Sequence, residues 1–498
     1  MDTTQPRAEP LEYEWLAGLK EAQASFLQVY PSYESTRSLD DLRDREYSRL
    51  DAQDHVYLDY TGGGLYADSQ IRDHVALLQS EVLGNPHSGS IASEASTKLA
   101  EGARDSVLRY FNASPNEYVA IFTQNATGAI KLVGESYPFG QEGNYLLTFD
   151  NHNSINGVRE FAWAKGARVT YVPVLPPELR VDEGRLATYL ARAQPGVPNL
   201  FAYPAQSNFS GVHHPLDWIP QAQAKGWDVL VDCAAFVPTN GLDLSRWHPD
   251  FVPLSFYKMF GYPTGVGCLL ARRSALEKLQ RPWFAGGTIT MASVQAEGHH
   301  MAEGQTAFED GTLNYLNLPA VEIGLEHISS IGMETIHERV WCLATWILES
   351  LLALRHTNGT PLVRVYGPTD MHMRGGTVTM NFHDPAGGLI DHRHIEGLAN
   401  EVNISIRTGC FCNPGAGEVA HGLTKEEMAE AFRNNQRMTF HQFLSVIETK
   451  DGKSAGAVRV SLGLMTNFTD VYRFLLFARG LLDRTAGDIG KGVAQSRS

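Results

Sequence analysis

From residue 118 onward the sequence alternates between two hydrophobic periods, and that alternation limits the fold more than any other feature. Short apolar runs with strand character occur at Tyr118 to Thr123, Tyr145 to Phe149, Arg168 to Val174, Leu200 to Tyr203 and Trp227 to Asp232. Between them lie stretches with helical spacing, at Ala129 to Val133, Ser154 to Lys165, Glu183 to Ala193 and Leu216 to Lys225. Strands separated by helices do not close as hairpins; they pair in parallel, with the helices covering both sheet faces. The chain is therefore expected to be α/β, with a mostly parallel sheet. A break around residues 358 to 368 precedes a second alternation, with strands at Thr377 to Asn381, Ile404 to Ile406 and Val458 to Leu462. At 498 residues the chain suits one large and one smaller core. The expected organisation is a helical segment over 1–50, a large domain over 51–357, a small α/β domain over 358–485 and a disordered tail over 486–498.

In parallel sheets, ligands collect beyond the carboxyl ends of the strands. Polar residues stand there in this sequence: Asn151, His152 and Asn153 after one strand, Gln206 and Asn208 after another, and Asp232 at the end of a third. The strand Tyr118 to Thr123 runs through Gln124-Asn125-Ala126-Thr127-Gly128 into a helical pattern. Free amides and the helix dipole make such a turn an anion site, although a simple helix cap by Asn125 or Thr127 explains the stretch equally well. In Leu254-Ser255-Phe256-Tyr257-Lys258-Met259-Phe260 a lysine sits among apolar neighbours after a buried-strand pattern. A desolvated ammonium gives up its proton more readily, leaving an amine able to attack a carbonyl. A lysine of that kind paired with an aspartate at a strand end is what pyridoxal phosphate requires.

The net charge of −15 argues against nucleic acid or an anionic membrane as partner. No apolar run is long enough to cross a bilayer and the first residues lack a signal-peptide core, so a cytoplasmic location is expected. Five cysteines form an odd set without a disulfide framework. Cys233, Cys268 and Cys342 have apolar surroundings, whereas Cys410 and Cys412 fall in a polar loop, Arg407-Thr408-Gly409-Cys410-Phe411-Cys412-Asn413-Pro414-Gly415. With no second Cys or His pair at ligand spacing, a metal site is not expected there; a reachable thiol is. Arg459, in a buried-strand pattern, needs a carboxylate partner, and its guanidinium fork suits the α-carboxylate of an amino acid.

These residues resemble the class V aminotransferase type of pyridoxal phosphate enzymes, in the cysteine desulfurase branch, and most of all the N-terminal desulfurase domain of molybdenum cofactor sulfurases. The likeness spans about Tyr57 to Val471 and is carried by residues 150–160, 255–265, 308–312, 407–416 and 456–463. It implies fold type I of the pyridoxal phosphate-dependent transferases, with a seven-stranded sheet and a homodimer. It also implies that Lys258 binds pyridoxal 5'-phosphate covalently and moves protons, that Asp232 keeps the pyridine nitrogen charged and that Asn208 bonds the phenolic oxygen. The phosphate falls to Ala126, Thr127 and Ser255, with Thr288 from a second subunit. His152 is expected to stack on the ring, although Asn151 aligns with the stacking histidine of bacterial desulfurases almost as well. Arg459 and Arg407 fall to the substrate carboxylate, and Cys412 to the sulfur of L-cysteine, from which it becomes a persulfide for an acceptor such as the molybdenum cofactor or a protein. Two departures stand out. Gly417 replaces a cysteine of the sulfurase motif, and the chain ends without their molybdenum-cofactor-binding domain. A carbon–sulfur lyase or epimerase acting on a larger sulfur amino acid is the alternative activity, and a non-catalytic scaffold the alternative of another class.

Overall fold

The computed structural model describes residues 10–86, 88–432 and 456–490. The strands needed below are β1 (Val56–Tyr57), β2 (Tyr118–Thr123), β3 (Asn144–Thr148), β4 (Arg168–Val172), β5 (Asn199–Pro204), β6 (Asp228–Asp232), β7 (Phe251–Ser255), β8 (Gly267–Arg272), β9 (Val363–Tyr366), β10 (Thr377–Phe382), β11 (Ile404–Ser405), β12 (Arg407–Gly409) and β13 (Ala457–Ser461). The helices needed below are α1 (Pro10–Val29), α2 (Ala126–Ser136), α3 (Phe256–Phe260), α4 (Met333–Ala353), α5 (Pro414–Ala420) and α6 (Phe468–Arg479).

Seven strands form the central sheet in the order β2-β8-β7-β6-β5-β3-β4. Pairings β3/β4, β3/β5, β5/β6 and β6/β7 are parallel, whereas β8 runs antiparallel to both β2 and β7. The reversal follows from the chain: between Ser255 and Gly267 there is room only for the short α3 and a turn, too little for a crossover helix. Gly261 makes that turn with φ +78, and a Cβ there would come within 2.4 Å of the backbone of Leu65 and Tyr66. Strands β5 and β7 are buried along their whole length, which explains their continuous apolar runs.

The smaller sheet is antiparallel, in the order β9-β10-β13-β12. Its core draws on distant sequence: Phe26, Tyr30, Tyr33, Val56 and Leu58 pack with α4, β10, β13 and α6. The Phe26 ring centroid lies 4.7 Å from that of Phe468, and strand β1 pairs in parallel with β11. Two ion pairs fasten the same region, the buried Arg43 to Asp470 at 2.5 Å and buried Arg339 to the half-exposed Asp40 at 2.8 Å. The described side chains between Leu19 and Leu50 thus contribute to packing. No described helix is long and apolar enough to cross a membrane. Of the tail expected over 486–498, residues 491–498 lie outside the described residues.

Candidate active site

The carboxyl ends of β2, β3, β5, β6 and β7 converge on one cavity of about 160 Å³, where Lys258, Asp232, His152, Thr127, Ser255 and Asn208 meet. Asp232 is the last residue of β6, 7% exposed, and its Oδ1 accepts the Ala234 amide at 3.0 Å. Lys258 rides on the single turn α3 directly after β7. Burial holds its pKa below the ordinary lysine value; the Asp232 charge opposes that shift and Arg459 adds to it.

At the other end of the cavity helix α2 begins. Asn125 caps it, with Oδ1 accepting the Gly128 amide at 3.0 Å, while Ser255 Oγ accepts the Ala126 amide at 2.9 Å. The cap is present, and it leaves Ala126 and Thr127 lining the cavity. Thr127 Oγ1 lies 2.8 Å from Ser154 Oγ, and the Ser154 amide donates to His152 Nδ1 at 3.1 Å. An acceptor at Nδ1 leaves the ring proton of the neutral imidazole on Nε2. Burial lowers the His152 pKa, only partly offset by Asp232.

Asn151 and His152 separate cleanly. Asn151 is fully buried and donates through Nδ2 to Thr148 O at 2.8 Å, Thr148 Oγ1 at 3.0 Å and Ala202 O at 3.2 Å. It braces strand ends, whereas His152 lines the cavity. Thr288 is also fully buried, with Oγ1 donating to Ala285 O at 2.9 Å, and does not line the cavity of its own chain.

The small domain contributes Arg459 on β13 and Arg407 on β12. Arg459 Nη1 donates to Asn208 O at 3.0 Å, and its Nη2 to Asp59 Oδ1 at 2.9 Å. Arg407 reaches the other oxygen of the same carboxylate, Nε to Asp59 Oδ2 at 2.9 Å and Nη2 at 2.6 Å. Burial lowers the Arg459 pKa against the pull of Asp59, and its Nε is buried with no hydrogen-bond partner among the described residues. A desolvated guanidinium with donor capacity left over suits a further anion.

The cysteine loop closes onto this assembly. Asn208 Nδ2 donates to Phe411 O at 2.8 Å, the Asn153 amide to Cys412 O at 2.7 Å, and Asn413 Nδ2 to Asn208 Oδ1 at 2.9 Å and Asp150 O at 2.6 Å. Cys412 is exposed and Cys410 half-buried, while Cys233, Cys268 and Cys342 are buried. Both amide atoms of Asn208 are thus engaged with the loop.

The family model for aminotransferase class-V matches residues 56–474. The chain belongs to the aminotransferase class-V family. Among curated proteins it is 36% identical over 494 residues to a molybdenum cofactor sulfurase of Arabidopsis thaliana, covering 91% of this chain and 60% of that protein. It is 35% identical to the molybdenum cofactor sulfurase of Homo sapiens, covering 91% of this chain and 52% of that one. The chain spans between half and two thirds of the length of these relatives. Among solved structures, a cysteine desulfurase from Thermococcus onnurineus NA1 superposes with a TM-score of 0.72 at 22% identity, over 89% of this chain and 98% of that one. The class-V fold is fold type I of the pyridoxal phosphate-dependent transferases, with its mostly parallel sheet.

Two residues that the structure brings to this assembly escaped the sequence reading. Asp59 ends the run Val56 to Asp59 before a glycine-rich turn, and only the placement of β1 beside β11 brings it to the arginines. Ser154 looked like a helix-start residue, which it also is, and its contact with Thr127 crosses between two strand ends.

Proposed function

We propose that this chain is a pyridoxal 5'-phosphate-dependent cysteine desulfurase of the molybdenum cofactor sulfurase type, converting L-cysteine to L-alanine and leaving the sulfur on Cys412. The donor set fits the cofactor: hydroxyls and a helix N-terminus for a phosphate, a carboxylate for a pyridinium nitrogen, a flat neutral imidazole, and a desolvated lysine for the carbonyl. Lys258, Asp232, His152, Ala126, Thr127 and Ser255 would hold it, with Asn208 beside the ring. When bound, the cofactor supplies an electron sink for the α-carbon of an amino acid.

The protein's own groups do the rest. Arg459 receives the substrate carboxylate, with Arg407 sharing Asp59 behind it. Lys258 Nζ, held unprotonated more readily than a solvated lysine, takes the α-proton and returns it. His152 has its proton on Nε2, so it donates there and does not act as a base at that atom. Cys412 Sγ, as thiolate, accepts the sulfur. The observation that carries a desulfurase over a simple lyase is the fastening of the Cys412 loop to Asn208, which lines the cavity, and to Asn153, which stands between the lining residues His152 and Ser154.

The same reading includes a homodimer in which Thr288 of one subunit completes the phosphate site of the other, which requires Thr288, buried within its own chain with Oγ1 donating to Ala285 O, to become accessible on association. The sulfur acceptor is the molybdenum cofactor or a protein, and five free thiols fit a reducing, cytoplasmic compartment. The test is product analysis after L-cysteine is added. Alanine in step with sulfane sulfur on Cys412, and cofactor-bound but inactive Cys412→Ser, support the reading. Pyruvate and ammonia, formed equally well by Cys412→Ser, would make the protein a lyase.

A further inference from the structure

The activity just proposed leaves Cys410 without a task, although the loop is folded around it. Residues Cys410 to Asn413 form a tight turn closed by the Asn413 amide on Cys410 O at 3.0 Å. Its two central residues, Phe411 and Cys412, both have φ +54, in the left-handed region that residues with a Cβ rarely adopt. That conformation is held from outside. Asn208 and Asn153 grip the carbonyls of Phe411 and Cys412, the Phe411 ring centroid lies 5.5 Å from that of Phe209, and the Arg459 guanidinium sits 4.7 Å from the Phe411 ring.

The consequence concerns the two sulfurs. A residue in the left-handed helical conformation separates its neighbours' Cα atoms as a helix turn does, by about 5.4 Å from helix radius and rise, whereas an extended residue separates them by about 6.7 Å. The shorter spacing is the one that disulfides favour. Only Cys412 is exposed; Cys410 is half-buried behind it.

We propose that Cys410 is the resolving thiol of this loop, releasing the sulfur carried by Cys412 as hydrosulfide. This rests on the desulfurase reading for how the sulfur reaches Cys412. Cys410 Sγ attacks Cys412 Sγ, forming the Cys410–Cys412 disulfide and breaking the bond between Cys412 Sγ and the terminal sulfur. The terminal sulfur leaves with that bond's electron pair and with the Cys410 proton, so a thiol and a persulfide anion become a disulfide and HS⁻. Burial raises the Cys410 pKa, so the thiol loses its proton only as it attacks, and that proton passes to the departing sulfur. A dithiol reductant then returns both cysteines to thiols by exchange.

The holoenzyme is given about one equivalent of L-cysteine in one arm and inorganic polysulfide in another, with no thiol beyond that consumed substrate, and its intact mass, peptide map and free sulfide are measured. The expected product is a protein lighter by two hydrogens, with Cys410 joined to Cys412 and about one equivalent of sulfide released. In Cys410→Ser the protein stays heavier by one sulfur atom and sulfide release slows by at least about tenfold. A wild-type protein that keeps the extra sulfur while Cys410 remains open to alkylation overturns the proposal, and this measurement needs no variant. So does Cys410→Ser releasing sulfide at the wild-type rate. Disulfide and sulfide from polysulfide, with no alanine from L-cysteine, would retain the resolving thiol and reject the desulfurase reading instead.

Discussion

Asp59→Asn is the substitution whose cost the structure fixes most tightly. Arg459 and Asp59 have side chains 4% and 10% exposed, whereas Arg407 is 51% exposed. Removing the charge of Asp59 leaves Arg459 as a buried cation with no anion beside it, and breaking a pair of that kind costs about 3–5 kcal/mol. The lost partnership with half-exposed Arg407 adds less than about 1 kcal/mol, because solvent already screens it. Asparagine keeps the shape and one carbonyl acceptor, recovering about 1 kcal/mol. The net expectation is a loss of about 3 kcal/mol, read from urea unfolding at neutral pH. Arg407→Ala should stay within about 1 kcal/mol of wild type. Asp59→Asn with Arg459→Met should regain most of the loss, since the stranded charge is then gone. An Asp59→Asn protein within about 1 kcal/mol of wild type, or a double variant no better than the single one, would refute the assignment of Asp59 as the charge partner of Arg459.

Arg459→Ala removes the cation assigned to the substrate carboxylate; KM for L-cysteine should rise about ten- to hundredfold, and an unchanged KM would assign the carboxylate elsewhere. Asp232→Asn should lower kcat at least about a hundredfold and shift the absorbance of bound cofactor, checked by steady-state kinetics and spectra on one preparation. Burial lowers the pKa of His421 to about 4 and that of His213 to about 3. The unfolded chain takes up a proton at each near pH 6.5 while the folded chain does not, so stability should fall as pH drops below about 6.5, by about 1.4 kcal/mol per pH unit for each histidine. His421→Gln should flatten that slope between about pH 6.5 and about 4 in urea titrations, and an unchanged slope would exclude His421 as a source. Gly261→Ala meets both a positive φ and backbone at 2.4 Å, and should lower the unfolding midpoint and the cofactor occupancy together.

The parts of this site that the sequence made legible are those encoded within a few residues. Lys258 stands out because apolar neighbours surround a cation, Asp232 because it terminates an apolar run, and the start of α2 because strand, small-residue turn and helix follow at once. The family resemblance supplied the roles of Asn208, Thr288 and Cys412, which no local pattern carries. The choice between Asn151 and His152 depends on which way successive side chains turn after β3, and that is set by packing against Ala202 on the neighbouring strand. Asp59 was hidden for a topological reason, since 348 and 400 residues separate it from its two arginines. The antiparallel β8 followed from the shortness of the Ser255 to Gly267 connection, a length visible in the sequence but informative only once both flanking strands are placed in one sheet.

The central claim is that Lys258 is the amine that binds pyridoxal 5'-phosphate, opposite Asp232. Reduction of the purified holoenzyme with sodium borohydride, followed by peptide mapping, tests it most directly. The pyridoxyl group should be found on Lys258 in the peptide containing Ser255 to Met259, and Lys258→Ala should yield no labelled peptide. A pyridoxyl group on another lysine, or none on a wild-type protein incubated with the cofactor, would contradict the account.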